Sequence, residues 1–148
     1  MMKVFRIALG LLVGGLALGL PALTAAAEGK GALVIEMSGF ASDKGHVFVN
    51  LANSRENFES DGKAYRAAKQ AIVKRMATVE FKDLPYGEYA IKVFQDEDDN
   101  GQLDIGWMGP KEPYGFSNDA RGTMGPPDWK DAKFAIDSLK HVEKIRLE

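Results

Sequence analysis

The clearest pattern along the chain is the alternation of apolar and polar residues in short segments. His46 to Ala52 places Val47, Val49 and Leu51 on one face and polar or aromatic residues on the other. A period of two residues is typical of a β-strand that buries one face. We therefore predict a strand here, with the three aliphatic side chains in the core.

Five other segments have the composition of strands and are separated by turn residues. One of them, Glu88 to Phe94, places Tyr89, Ile91 and Val93 inward. Together with an irregular strand discussed next, these segments predict about seven short strands, which is typical of a single antiparallel β-sandwich. The other four segments are Gly31 to Met37, Ala77 to Phe81 (Val79 and Phe81 inward), Ala132 to Ile136, and His141 to Leu147 (Ile145 and Leu147 inward).

Three stretches do not follow the strand pattern. Tyr65 to Met76 is rich in helix-forming residues, but its weak apolar stripe and its neighbours favour an irregular strand plus a linker over a short helix. Asn53 to Lys63 is polar and contains Asp61-Gly62, so we predict a loop. Ile105 to Lys130 is rich in glycine and proline, and we predict a long unstructured connection, which is often functional.

The N-terminus has the layout of a secretory signal peptide. Lys3 and Arg6 precede an apolar run from Ile7 to Leu20, and Ala25-Ala26-Ala27 supplies a cleavage signal. A transmembrane anchor is the alternative, but this run is shorter than the roughly 18 to 20 residues that a span requires. We predict a signal peptide at 1–27, a single domain at 28–148, no membrane span after cleavage, and a periplasmic or secreted location.

Charge and cysteine content narrow the class of protein. The first 27 residues hold two of the 19 basic residues and none of the 21 acidic ones, so residues 28–148 carry a net charge of −4. A mildly acidic domain has no basic surface for nucleic acid or for electrostatic attraction to an anionic membrane. The absence of cysteine excludes disulfides and thiol chemistry.

An acidic loop after the fifth predicted strand is the strongest candidate for a site. Asp96, Asp98, Asn100 and Gly101 follow the D-x-[DN]-x-[DN]-G spacing of calcium loops, and Asp104 lies at the ninth loop position. Calcium requires six to eight oxygen ligands, and side chains at alternate loop positions can converge on one ion. A bound cation would also offset repulsion between these carboxylates.

The loop departs from the full calcium pattern at its twelfth position. That position is Trp107, where a helix–loop–helix calcium site requires a bidentate glutamate. A complete site must therefore recruit another ligand, and Glu112, Asp119 or a backbone carbonyl are the candidates. The alternative is a solvated turn without metal, since Asp, Asn and Gly favour turns on their own.

Two motifs resemble a known family. Phe81-x-x-Leu84-Pro85-x-Gly87-x-Tyr89 resembles the strand–turn–strand motif of transthyretin-like and carboxypeptidase-regulatory-like β-sandwiches, which have an immunoglobulin-like architecture. The acidic loop, then Gly109-Pro110-x-Glu112-x-Tyr114-Gly115-Phe116-Ser117-Asn118, Gly125-Pro126-Pro127 and Asp131-Ala132-x-Phe134, is similar to the bacterial family called domain of unknown function 2141. The resemblance implies an exported, seven-stranded sandwich and no particular activity.

Aromatic residues in the glycine-rich stretch define a second candidate surface. Trp107, Tyr114 and Trp129 would form a platform for a protein or glycan partner if they were exposed together, or part of the core if they were buried. Within Tyr114 to Asn118, we favour a structural role in which Phe116 enters the core and Asn118 caps the loop.

The sequence gives little support for an enzyme. It contains no nucleophile elbow, zinc-hydrolase motif, phosphate loop or dinucleotide fingerprint. His46 and His141 lie on separate predicted strands, where surface positions are expected. We therefore expect a non-enzymatic accessory or binding module of the cell envelope with a calcium loop. The alternatives are a metal-free structural or adhesion-type domain and, less favoured, a carbohydrate-binding module.

Overall fold

The computed structural model describes residues 28–60 and 62–148, which form an all-β protein with two short helices. The predicted signal peptide at 1–27 lies outside the described residues. Within the described residues, no helix is long and apolar enough to cross a membrane. The elements are β1 (Lys30–Ser38), β2 (His46–Ala52), α1 (Arg55–Glu59), β3 (Arg66–Ala71), β4 (Met76–Pro85), β5 (Gly87–Asp96), β6 (Ile105–Gly106), β7 (Gly109–Pro110), β8 (Tyr114–Phe116), a 3-10 turn (Ser117–Asp119), α2 (Trp129–Ala132), β9 (Phe134–Ile136) and β10 (Lys140–Arg146).

The strands form two larger sheets and one small hairpin sheet. The order is β10-β1-β4 in the first sheet and β3-β2-β5-β8 in the second, where β9 also pairs with β5, while β6 and β7 pair only with each other. All strand pairs of the described chain are antiparallel except β1 with β10. The prediction of a purely antiparallel fold is therefore wrong at this pair. Because β1 and β10 lie far apart in the sequence, no tight turn fixes their relative direction.

Both larger sheets contribute to one hydrophobic core. The residues predicted to point inward from β2, Val47, Val49 and Leu51, are fully buried. The inward residues of β4, β5 and β10 are buried as well, and Val142 is exposed. Alternation therefore identified the core faces correctly, because burial on one side of a strand repeats every second residue.

A second cluster packs under α1 and α2. Ser54 caps α1 by accepting a hydrogen bond from the Asn57 amide at 3.2 Å, and Phe58 is buried against Phe116 and Trp129. The prediction of a loop over Asn53 to Lys63 is therefore wrong for the part that forms α1. Burial of Phe58 stabilises a helix that is too short to be stable by itself.

The glycine-rich stretch from Ile105 to Lys130 is not an unstructured connection. It contributes β6, β7, β8, the 3-10 turn and the first residues of α2. The described chain consequently has ten strands instead of about seven. Each of the seven predicted segments overlaps an observed strand, and Tyr65 to Met76 contains β3, as predicted.

Candidate functional site

The acidic loop begins where β5 ends, beside the start of β2. Asp96 pairs with His46 in the sheet and is completely buried. Its Oδ1 accepts a hydrogen bond from the Asn100 amide at 3.1 Å, and its Oδ2 accepts one from the Gly101 amide at 2.8 Å. Gly101 has a φ of +82°, a left-handed conformation that favours glycine. The chain therefore wraps tightly around the Asp96 carboxylate.

A glutamate from outside the loop closes it. Glu112 follows β7 and is only 8% exposed. Its Oε1 accepts from the Glu97 amide at 2.9 Å, and its Oε2 accepts from the Asp104 amide at 3.1 Å. This one carboxylate thus fastens both the beginning and the end of the acidic loop, at the position from which the sequence predicted a recruited ligand.

The predicted metal ligands lie together. One carboxylate oxygen each from Asp96, Asp98 and Glu112 lie within 4.8 Å of one another. Asn100 links two further members of the predicted set, because its Nδ2 donates to Asp98 Oδ2 at 3.2 Å and to Asp104 Oδ1 at 3.0 Å. All five predicted ligands therefore belong to one connected group.

Within the part of the chain that the structure describes, no ion pair balances the charge of this group. None of the ion pairs within residues 28–60 and 62–148 involves Asp96, Asp98, Asp104 or Glu112. Two of these four carboxylates, Asp96 and Glu112, are buried, so water screens them poorly. The geometry leaves a concentration of negative charge that a cation with oxygen preference would neutralise.

The neighbouring Asp99 contacts two basic side chains. His46 Nδ1 lies 2.6 Å and Lys69 Nζ lies 3.2 Å from Asp99 Oδ1. Hydrogen bonds from His46 and Lys69 hold the pKa of this exposed carboxyl below its usual value. Sequence analysis missed this contact, because only the pairing of β2 with β3 and β5 brings these three residues together. Asp99 therefore anchors the loop to the sheet and stays outside the carboxylate group.

The three candidate surface aromatics are not together. Trp107 is 95% exposed at the turn between β6 and β7, and Tyr114 is 36% exposed on β8. Trp129 is 8% exposed and packs edge-to-face against Phe58. Trp129 is therefore a core residue and does not belong to an exposed platform. Asp119, the other proposed recruited ligand, instead accepts a hydrogen bond from the Arg146 amide at 2.9 Å.

The two histidines have structural contacts. His46 is 37% exposed and bonds Asp99, whereas His141 stacks on Phe134 and lies 2.9 Å from Glu143 Oε1. Neither contributes to the Asp96–Glu112 group. The chemistry available there is oxygen ligation by carboxylates and an amide, without imidazole.

The comparisons with known proteins place the chain in a family. The family model described as "Uncharacterized protein conserved in bacteria (DUF2141)" matches residues 35–143. The chain belongs to this family. The matched range includes the complete acidic loop, Glu112 and the aromatic positions of this DUF2141 protein. The comparison with curated proteins and the comparison with solved structures each gave no match.

A groove lies next to the acidic loop, on the outer side of the sheet that contains β2 and β5. It has a volume of about 610 Å³, and Phe94 and Tyr114 are among the residues that line it. Gln102, Leu103 and Ile105 from the loop and from β6 form one part of its wall. A volume of this size with apolar and amide side chains is typical of small-ligand or peptide sites. The conformation of the acidic loop therefore helps to set the shape of the groove.

Proposed function

We propose that this DUF2141 protein is an exported, non-enzymatic binding module whose acidic loop takes a calcium ion. The observation that carries the proposal is the approach of Asp96, Asp98 and Glu112 to within 4.8 Å, with two of them buried. Among the described residues, no lysine, arginine or histidine pairs with them. Separating like charges in the absence of metal would require the loop to open, so a cation would stabilise the closed form.

The ligand atoms favour calcium over other divalent cations. Asp96, Asp98, Asp104 and Glu112 offer carboxylate oxygens, and the group contains no imidazole. Zinc and copper sites normally include nitrogen or sulfur ligands. Magnesium demands a nearly ideal octahedron and usually keeps several waters. A loop with several carboxylates and no nitrogen or sulfur ligand therefore suits calcium best.

The proposed partner site is the groove beside the loop. Calcium would fix Gln102 and Leu103 in the groove wall and so order a surface for a protein or glycan partner in the envelope. The wider proposal is that residues 1–27 direct export to the periplasm or the exterior. We also propose that the two larger sheets form a transthyretin-like sandwich, because they share one hydrophobic core.

A metal-free interaction domain is the second candidate. The exposed Trp107 favours it, because a surface tryptophan is typical of contact sites. In that case the hydrogen bonds that Asp96 and Glu112 accept from backbone amides would alone define the loop. The carbohydrate-binding alternative has less support, since Trp129 is buried and leaves fewer aromatic rings for stacking.

The test of the calcium proposal is the thermal melt of the chelated protein with and without calcium. A ligand that binds only the folded state stabilises it by about 2.7 kcal/mol at a hundredfold excess over the dissociation constant. We expect calcium to raise the melting temperature of the wild type and not of Asp98→Ala. Glu36→Ala is the matched control, because Glu36 is an exposed acid on β1 that pairs with Lys144. An equal calcium effect in all three proteins, or none in the wild type, would refute the site.

A further inference from the structure

The β6–β7 hairpin presents the most exposed aromatic side chain of the described residues. Ile105 pairs with Pro110 and Gly106 pairs with Gly109, which leaves Trp107 and Met108 at the tip. Trp107 is 95% exposed and Met108 is 83% exposed. The hairpin pairs only with itself and therefore extends outside the two larger sheets.

Exposure of two neighbouring large apolar side chains is unfavourable, because apolar surface has a higher free energy in water than in an apolar environment. Burial of apolar surface contributes about 25 cal/mol per Å², and tryptophan is among the largest contributors. The other tryptophan of the chain, Trp129, is 8% exposed. With Ile105, which is 64% exposed, Trp107 and Met108 form one apolar patch on the hairpin, and contiguous exposed apolar patches are typical of protein or membrane contact sites.

The shape of the tip favours a bilayer over a protein partner. A stable protein interface buries about 800 Å² on each side, whereas one aromatic side chain buries about 150–250 Å². A two-residue tip supplies only part of such an interface. A bilayer interface requires no matching surface, and tryptophan is enriched at that depth.

The backbone and charge around the tip also suit a lipid interface. Gly106 pairs with Gly109, the Lys111 amide donates to the Asp104 carbonyl at 2.8 Å, and Pro110 has no amide N–H to leave unpaired, so part of the hairpin backbone is satisfied internally. The stem of Lys111 runs along Gly106, since a Cβ built on that glycine would lie 3.0 Å from Lys111 Cε. A lysine in this position keeps its ammonium group near lipid phosphates while its stem covers apolar surface.

We propose that the β6–β7 hairpin tip inserts Trp107 and Met108 into the interfacial layer of a phospholipid bilayer. This docking is peripheral. Because the domain has an acidic net charge, apolar side chains drive the docking and basic residues do not. The carboxylates at the base of the hairpin favour zwitterionic over anionic lipid when no metal is bound. The inference goes beyond the calcium proposal and does not depend on it.

The test uses Trp107 as a local reporter in the full chain. The chain has only two tryptophans, and neither lies in residues 1–27, so the apolar N-terminus gives no signal of its own. The protein is titrated with phosphatidylcholine vesicles in EDTA while tryptophan emission is recorded. The titration is then repeated with brominated phosphatidylcholine, which quenches only an inserted ring. We expect a blue shift and quenching by the brominated lipid.

Two variants make the test specific, and both retain Trp107. Met108→Ser removes an inserted side chain and is expected to lower the partition coefficient about tenfold, which corresponds to about 1.4 kcal/mol. Leu139→Ser is the matched control: Leu139 is 80% exposed, and its carbonyl bonds Ala32 at the opposite end of the sheets. Absence of quenching in the wild type, or equal partition coefficients for Met108→Ser and the control, would overturn the proposal. Because EDTA is present, failure here leaves the calcium proposal unaffected.

Discussion

Replacement of Glu112 by glutamine should change stability in opposite directions with and without calcium. The substitution keeps the shape of the side chain but removes its charge and one of its two acceptor oxygens. Glu112 accepts hydrogen bonds from the Glu97 and Asp104 amides and lies within 4.8 Å of the Asp96 and Asp98 carboxylates. Its negative charge therefore both holds the loop and repels its neighbours.

The two effects can be compared from the geometry. The two oxygens lie no more than 4.8 Å apart, and at that separation the repulsion between buried Asp96 and Glu112 is about 3.5 kcal/mol at an effective dielectric constant of 20. The exposed Asp98 adds about 1 kcal/mol at the dielectric constant of water. Loss of one hydrogen bond to a charged acceptor removes about 1.5–3 kcal/mol. In EDTA, Glu112→Gln is therefore expected to be more stable than the wild type by about 1.5–3 kcal/mol.

Calcium should reverse this order. The bound cation cancels the repulsion in the wild type and contributes about 2.7 kcal/mol at a hundredfold excess over its dissociation constant, while the variant lacks one carboxylate ligand. The assay is urea unfolding at neutral pH in EDTA and in calcium, followed by circular dichroism. A variant that is destabilised by the same amount in both conditions would refute the reasoning. That result would assign Glu112 a hydrogen-bonding role alone.

Three further substitutions test other contacts. Asp99→Asn should lower the melting temperature at pH 7, and the difference from wild type should shrink as the pH falls below about 4. The reason is that His46 and Lys69 lower the pKa of folded Asp99; parallel pH profiles would contradict this. Ser117→Ala should reduce the free energy of unfolding by about 1–3 kcal/mol, because the buried hydroxyl bonds a β5 amide at 2.9 Å and an α2 carbonyl at 2.6 Å; unchanged denaturant midpoints would contradict it. Gly101→Ala should lower the free energy of unfolding by about 1–2 kcal/mol, because alanine disfavours the positive φ at this position. No atom lies within 4 Å of the added Cβ, so a steric clash adds nothing. Gly101→Asn should lower the free energy of unfolding less in the same assay.

The strands were predictable because their pattern is local. Alternation from His46 to Ala52 and from Glu88 to Phe94 is a property of consecutive residues, and β2 and β5 each bury the expected face. The partner of β1 was not predictable, because a parallel contact with β10 joins the two ends of the domain. Strand order depends on long-range packing that no short window contains.

The short elements were missed for a different reason. β6 and β7 have two residues each, which is too few to show alternation. The helix α1 has five residues, and the burial of Phe58 stabilises it. The sequence Asp83-Leu84-Pro85-Tyr86-Gly87 predicts a turn in which Gly87 has a positive φ. Asp83 has the positive φ instead, and Gly87 pairs with Ile136 as part of β5.

The candidate site was predictable to the extent that it is contained in one loop. The spacing of Asp96, Asp98 and Asn100 alone, without knowledge of the fold, predicts that their side chains can converge on one ion. Glu112 could only be proposed among alternatives, since its approach depends on the β6–β7 hairpin returning the chain to the loop. The contact of His46 with Asp99 depends on the register of β2 against β5 and has no sequence signal.

The proposal that the acidic loop binds calcium is best tested by calorimetry, in which calcium is titrated into protein that has been freed of metal with a chelator. We expect saturable binding of one calcium ion per chain, which is lost in Asp98→Asn and retained in Met108→Ser. The first variant removes a ligand charge, whereas the second changes only the hairpin tip. Absence of saturable heat at millimolar calcium, or equal binding by wild type and Asp98→Asn, would contradict the account and favour a metal-free interaction domain.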